Sequence, residues 1–202
     1  MKLRRLLAPA AGLASILAWA PPARAHLVNT GFGPFYDGLV HPFLTPEDLL
    51  PVVALTLLAG LRGPRFGRTV LYALPMAWLV GTGAGRLLAS HALLSAAIVA
   101  VPAIVLGALV AADRELPLAL VVGLAIALGL VNGVANGVEL ARASAQGLGA
   151  VGVACSLFVV VALGAGQVSS LRAPWARVVV RVAGSWIAAI GLLMFGWSVR
   201  GG

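Results

Sequence analysis

The chain has 202 residues, of which 61% are hydrophobic and only 10% charged, and its mean hydropathy is +1.03. Soluble domains usually carry about a quarter charged residues, so a water-soluble enzyme, a secreted disulfide scaffold and a disordered tail are excluded. The net charge is +8, but the arginines beyond residue 25 lie in short segments between apolar runs, so nucleic acid is not an expected partner. The composition predicts an integral membrane protein in contact with the lipid bilayer.

Residues 1–25 have the parts of a signal peptide. A basic start and an apolar run are followed by small residues at the cleavage position, Ala23-Arg24-Ala25. Cleavage would make His26 the first residue of the mature chain in a bacterial periplasm. The alternative is an uncleaved anchor helix, and either arrangement leaves residue 26 outside the cytoplasm.

Six apolar runs follow a Gly/Pro-rich periplasmic segment, residues 26–45. Most of them approach the ~20 residues needed to cross a bilayer, and a chain in lipid must satisfy its backbone groups by forming helices. The sequence therefore predicts an all-α polytopic protein, with six transmembrane helices in one small bundle over residues 46–202. The runs are 46–61, 69–88, 91–111, 117–140, 148–169 and 178–198.

The arginines between the runs predict the orientation of this bundle. With residue 26 outside, seven arginines lie on the inner side and three on the outer side, as the positive-inside rule requires. Both mature termini are then periplasmic, and the protein is a multi-pass protein of the bacterial inner membrane. The inner arginines are Arg62, Arg65, Arg68, Arg114, Arg172, Arg177 and Arg181, and the outer ones are Arg86, Arg142 and Arg200.

The acidic residues are unevenly distributed between the two sides of this bundle. Asp113 and Glu115 fall in an inner loop, where we expect them to be solvated. The other four acids fall on the periplasmic side, where His26 and His41 also lie and His91 is expected nearby. Carboxylates and imidazoles at one face of so apolar a chain suggest a cation site. The four acids are Asp37, Glu47, Asp48 and Glu139.

The segment from His41 to Asp48 has two interpretations. Thr45 can cap a helix that begins at Pro46, and the two acids that follow favour a helix N-terminus. Alternatively the acids bind a cation. Pro51 cannot donate a hydrogen bond to the carbonyl of Glu47, so that oxygen would remain free as a further ligand.

A second polar segment lies near the end of the fourth run. Asn132, Asn136 and Glu139 share one helix face, and Gly133 and Gly137 form a neighbouring face for close packing. The asparagines either bind neighbouring helices or line a transport path. We assign Asn132, Asn136 and Asp37 to that path.

His26 completes the predicted site. As a mature N-terminus it offers an α-amine and an imidazole that chelate nickel, copper or zinc; otherwise the histidine follows the cleavage position by chance. The predicted metal ligands are His26, His41, Glu47, Asp48 and Glu139.

These segments resemble those of the HupE/UreJ family, small six-helix membrane proteins associated with nickel supply to hydrogenase and urease. His41-Pro42-Phe-Leu-Thr-Pro-Glu47-Asp48 is similar to its motif His-Pro-x-x-x-x-Asp-His. Asn132-Gly133-Val-Ala-Asn136-Gly137-Val-Glu139 is similar to its motif His-Gly-x-Ala-His-Gly-x-Glu. Here oxygen-bearing side chains replace three histidines of the motifs, as expected of a distinct branch of the family.

The resemblance implies a secondary permease that moves a divalent transition metal, nickel or cobalt, from periplasm to cytoplasm. The alternative is a non-transporting protein that holds metal or assists metalloenzyme assembly, with maturation proteins as partners. In either case the metal is cargo, and no tightly bound cofactor is expected. An intramembrane enzyme is disfavoured because no serine or histidine lies at mid-span beside a plausible partner, and Cys155 has no visible base.

Overall fold

The computed structural model describes residues 30–88, 96–142 and 147–200, and all regular structure in these ranges is helical. The predicted all-α class is confirmed, and each of the six apolar runs overlaps one helix. The predicted signal peptide, His26 and His91 lie outside the described residues. The helices are α1 Pro34–Leu44, α2 Pro46–Arg62, α3 Pro64–Leu87, α4 Ala96–Ala112, α5 Leu118–Arg142, α6 Leu148–Ser170 and α7 Pro174–Arg200.

Among the described residues, three helices are long and apolar enough to cross a membrane: α5, α6 and α7. The helices α1 and α2 meet the same criteria only as a pair, bent by 74° at the residue between them, and α4 contributes a shorter apolar helix, Ile98–Ala112. The chain is thus a membrane protein by the length and composition of its helices. Six spans with both termini in the periplasm stay a prediction.

The bend between α1 and α2 has a local cause at Thr45. A proline disfavours the helical conformation of the residue before it, and Thr45, which precedes Pro46, is extended with φ −115° and ψ 92°. Its hydroxyl donates to the carbonyl of His41 at 2.9 Å and makes no capping hydrogen bond to α2. The predicted start of α2 at Pro46 is confirmed, and Thr45 is its N-cap residue, but the side chain of Thr45 does not cap the helix.

Helix α1 occupies part of the segment 26–45 that the sequence assigns to a periplasmic stretch before the bundle. It packs on α6 through glycine. A side chain at Gly38 would overlap the backbone of Gly149, and one at Gly152 would overlap the carbonyl of Phe35. The backbones approach this closely only because these positions lack Cβ atoms. This packing positions the last turn of α1, which carries His41.

Helix α2 is the centre of the bundle and contacts each of the other six described helices. Over about two turns it carries five apolar residues that are fully inaccessible to solvent: Val52, Ala54, Leu55, Leu58 and Ala59. Because its neighbours bury the middle of this helix among apolar side chains, polar groups from different helices meet mainly at its two ends.

The most extensive helix pair is α3 with α5, and glycines allow it. A methyl group at Gly133 would overlap the carbonyl of Trp78, and one at Gly137 would overlap the carbonyl of Thr82. The predicted packing role of both glycines is confirmed, and Trp78 is completely buried beside them. Gly83, in contrast, has open space around its Cβ position.

At the C-terminal end of α2, Asp113 joins three elements. Its carboxylate accepts hydrogen bonds from Arg62 of α2 and, at 2.6 and 3.0 Å, from Arg177 of α7. Asp113 itself has a positive φ of 51° in the connection from α4 to α5. The expectation that this residue is merely solvated is wrong, because two guanidinium groups bind it. We call Arg62, Asp113 and Arg177 the Asp113 cluster.

Replacing Gly133 by alanine is expected to destabilise the protein. The added methyl group overlaps a backbone oxygen that cannot move independently, and overpacking of this kind costs about 1–3 kcal/mol. Gly123→Ala is the matched control on the same helix, because nothing lies near its Cβ position and alanine favours helix by roughly 0.5–1 kcal/mol. Thermal unfolding in detergent measures both; equal melting temperatures would contradict the close packing of α3 on α5.

The Asp113 cluster is expected to make stability depend on pH. The hydrogen bond from Arg177 and the nearby arginines hold the pKa of Asp113 below its ordinary value. A carboxyl group whose pKa is lowered by folding stabilises the folded protein at pH values above its unfolded-state pKa of about 3.9. This stabilisation is lost as the pH falls through its lower folded-state pKa. Asp113→Asn should therefore lower the melting temperature at neutral pH, with a difference from the unsubstituted protein that shrinks below about pH 4.

The exposed neighbour Glu115 provides the control for this measurement. Glu115→Gln removes a charge from the same loop without removing the hydrogen bonds of Asp113. If both variants lower the melting temperature equally, the effect comes from net charge and not from the cluster.

Candidate functional site

A buried carboxylate lies at the first turn of the central helix. Asp48 is the third residue of α2 and is only 3% exposed. Its Oδ1 accepts a hydrogen bond from the amide of Asn132 at 3.0 Å, and its Oδ2 accepts one from the amide of Asn136 at 3.0 Å. Both asparagines are buried and lie one turn apart on α5. One donor for each oxygen therefore holds the carboxylate inside an apolar bundle.

His41 brings an imidazole to the same carboxylate from α1. Its Nε2 lies 3.4 Å from Oδ2 of Asp48 and 3.0 Å from Oδ1 of Asn136. The side chain is mostly buried, at 12% exposure. Three helices thus place a carboxylate, an imidazole and two amides in contact. We call His41, Asp48, Asn132 and Asn136 the Asp48 cluster.

The carbonyl of Glu47 is also part of this arrangement. Pro51 has no N–H to donate to it, as the sequence indicates, but the oxygen is not free: Asn132 Nδ2 reaches it at 3.3 Å. The expectation of an unused carbonyl is therefore wrong. The amide of Asn132 bridges the Glu47 backbone and the Asp48 side chain, which fixes the start of α2 against α5.

The oxygen of the Asn132 side chain is buried and accepts no hydrogen bond within the described part of the chain. Such an atom is unusual, because most buried polar atoms have a partner. Since the nitrogen of the same amide binds Asp48, this oxygen belongs to the Asp48 cluster. It leaves one acceptor of the cluster without a donor.

Two further predicted site residues are Glu139 and Asp37. Glu139 is exposed, although its charge acts on His41, and the two hydrogen bonds to Asp37 come from the backbone N–H and the hydroxyl of Thr30. Among the residues described, no group of three or more His, Cys, Asp or Glu side chains could hold a metal. The five-residue ligand set with His26, which lies outside the described residues, stays a prediction.

What the sequence analysis missed is how the two asparagines relate to Asp48. The sequence identifies all three residues and leaves two interpretations of the asparagines open, hydrogen bonds to a neighbouring helix or a transport path; the hydrogen bonds are confirmed, and the path stays a prediction. Their spacing of four residues was a usable signal, because two amides one turn apart match the two oxygens of one carboxylate. The partner itself could not be known before the packing of α5 against α2.

The chemistry of the Asp48 cluster suits a cation. A carboxylate, an imidazole and an amide lie close together, because His41 Nε2 is 3.4 Å from Asp48 Oδ2 and 3.0 Å from Asn136 Oδ1. Carboxylate, imidazole and amide oxygen are all ligands for divalent metals.

Comparison with known proteins gave one match. The sequence model of the family described as HupE / UreJ protein matches residues 14–194, a range that includes every member of the Asp48 and Asp113 clusters. The chain has no match among curated proteins and none among solved structures.

Replacing Asp48 by asparagine tests the hydrogen bonding of the cluster. An asparagine has one acceptor oxygen where two amide donors now bind, so one buried N–H loses its partner at a cost of about 1–3 kcal/mol. We expect Asp48→Asn to lower the melting temperature of the detergent-solubilised protein. Glu47→Gln is the comparison for stability, because it leaves the backbone carbonyl that binds Asn132 unchanged. Equal stability of the two variants would mean that Asn132 and Asn136 do not hold Asp48.

Proposed function

Because the chain belongs to the HupE/UreJ family, we propose that it is a secondary permease that carries a divalent transition metal, nickel or cobalt, from the periplasm to the cytoplasm. The observation that supports this most directly is the buried Asp48 cluster at the start of the central helix. A charged side chain inside a membrane protein is costly and usually marks an ion or proton pathway.

The distances within the cluster support binding of a small dication. An ion with six ligands at about 2.1 Å has neighbouring ligands about 3.0 Å apart. His41 Nε2 lies 3.0 Å from Asn136 Oδ1 and 3.4 Å from Asp48 Oδ2, which is close to that spacing. Asn136 Oδ1 can only accept a hydrogen bond, so Nε2 carries the proton in this contact and a bound ion would replace that proton.

The depth of the asparagines supports movement along α5. Asn136 contacts His41, whereas Asn132 lies one turn further from the exposed Glu139 and is completely buried. An ion attracted by Glu139 would meet His41 and Asn136 first and Asn132 last. This order matches a path that begins at the periplasmic face.

The apolar interior below the cluster favours a second function, a protein that holds metal or helps metalloenzyme assembly without transport. The buried side of α2 beyond Asp48 is formed largely by apolar side chains such as Val52, Leu55 and Leu58, and the hydroxyl of the buried Thr56 is bound to the Val52 carbonyl. A holding protein needs polar groups only at one end of the bundle.

Flux through proteoliposomes distinguishes the two functions. Vesicles that contain the purified chain should accumulate radioactive nickel or cobalt down a gradient, and Asp48→Asn and His41→Gln should each lower the rate at least about tenfold, because each removes a ligand. The matched control is Glu115→Gln, an exposed acid that has no place in the proposed path.

The outcomes are separable when metal binding is measured on the same preparations. Binding that depends on Asp48, together with no flux above that of empty vesicles, would favour the holding function. Unchanged flux in both the Asp48 and the His41 variant would contradict the assignment of the site. Glu139→Gln in the same assay tests the exposed carboxylate as the first contact of the ion.

A further inference from the structure

The ligands that the Asp48 cluster offers are mostly oxygens. Nε2 of His41 is the one nitrogen among the candidate ligands. The remaining candidates are the carboxylate of Asp48, the amide oxygens of Asn132 and Asn136, and the carbonyl of Glu47. Asparagine nitrogens do not coordinate metals, and here they are used as donors to the carboxylate. The donor set of the site is therefore fixed by the hydrogen bonds that build it.

Donor type determines how strongly a site discriminates between metals. Nickel follows manganese and cobalt in the general order of increasing affinity, and imidazole suits nickel, whereas carboxylates, carbonyls and water suit manganese and magnesium. A site with one nitrogen ligand and several oxygen ligands keeps that order, but the affinities of the different metals lie closer together.

We propose that the two asparagines make this site weakly selective, so that manganese(II) competes with nickel(II) for it. The inference rests on the proposed function only in taking the cluster as the place where the metal binds. It assigns Asn132 and Asn136 a role in specificity, and it names the substrate class as divalent cations that accept oxygen ligands.

The buried oxygen of Asn132 is the independent observation that points to a ligand. It has no donor within the described residues, although the nitrogen of the same amide is held by Asp48 and by the Glu47 carbonyl. Turning the amide around would place an oxygen against the carboxylate, so the orientation is determined. A cation bound beside Asp48 would supply this oxygen with the positive partner that it lacks.

Weak selectivity also agrees with the task of a permease. An ion must bind strongly enough to leave water and weakly enough to leave the site again. Amide oxygens carry no formal charge, so Asp48 supplies the only negative charge inside the cluster. A site of this kind exchanges its ion more readily than one that surrounds nickel with imidazoles.

The experiment measures dissociation constants of manganese chloride and nickel chloride for the purified full chain in detergent. Titration calorimetry gives both constants, and the loss of the paramagnetic resonance signal of free manganese gives the first one independently. We expect the two constants to lie within about tenfold of each other. Asn136→His and Asn132→His should each widen the ratio in favour of nickel by about tenfold or more, because each replaces an amide oxygen by an imidazole nitrogen.

Glu115→Gln is the control, because this exposed acid lies outside the proposed site and should leave the ratio near that of the unsubstituted chain. Two histidine variants are used so that a folding defect in one leaves the other to report. Nickel binding more than about a hundredfold tighter than manganese in the unsubstituted chain would overturn the inference while leaving the proposed function intact. If neither metal binds, both fail; if both bind with similar constants but no flux occurs, only transport fails.

Discussion

The burial of one carboxylate in an apolar bundle is the constraint on which the polar architecture depends. Moving an ion out of water costs several kcal/mol of free energy unless hydrogen bonds and charges replace its hydration. Asp48 obtains them from three side chains on two helices: from Asn132 and Asn136 on α5, and from His41 on α1. The bend at Thr45 is what turns the end of α1 toward α2. The site and the angle between these helices therefore depend on each other.

Glycine packing determines where the amides of α5 can point. Neighbouring residues on a helix are separated by about 100° of rotation, so the glycine face and the asparagine face of α5 lie side by side. Gly133 and Gly137 hold the first face against the backbone of α3, and the second face then meets α2. A larger residue on the glycine face would shift α5 and move both amides away from Asp48. The packing of an apolar pair of helices thus sets the geometry of a polar site.

The sequence predicted what is local and missed what depends on tertiary contact. The apolar runs mark the helices to within a few residues because hydropathy acts residue by residue, and Pro46 marks the start of α2 because its ring restricts the backbone. Helix α1 was missed because Gly38 and Pro42 weaken its local signal, while its packing on α6 supplies the stability. Asp48, Asn132 and Asn136 were each identified, but their pairing requires the contact between α2 and α5, which no local pattern contains.

The two ends of α2 show how the partners of a carboxylate decide what it can do. Asp113 is bound by Arg62 and Arg177, whose permanent charges neutralise it, so its role is to tie α2, α7 and the loop after α4 together. Asp48 is bound by two amides, which carry no charge, and by one imidazole, so no guanidinium or ammonium group binds it among the described residues. This difference is why we propose Asp48, and not Asp113, as part of a cation site. Both residues are buried or half-buried acids on loops or helix ends, and only the chemistry of their donors separates a structural tie from a candidate ion site.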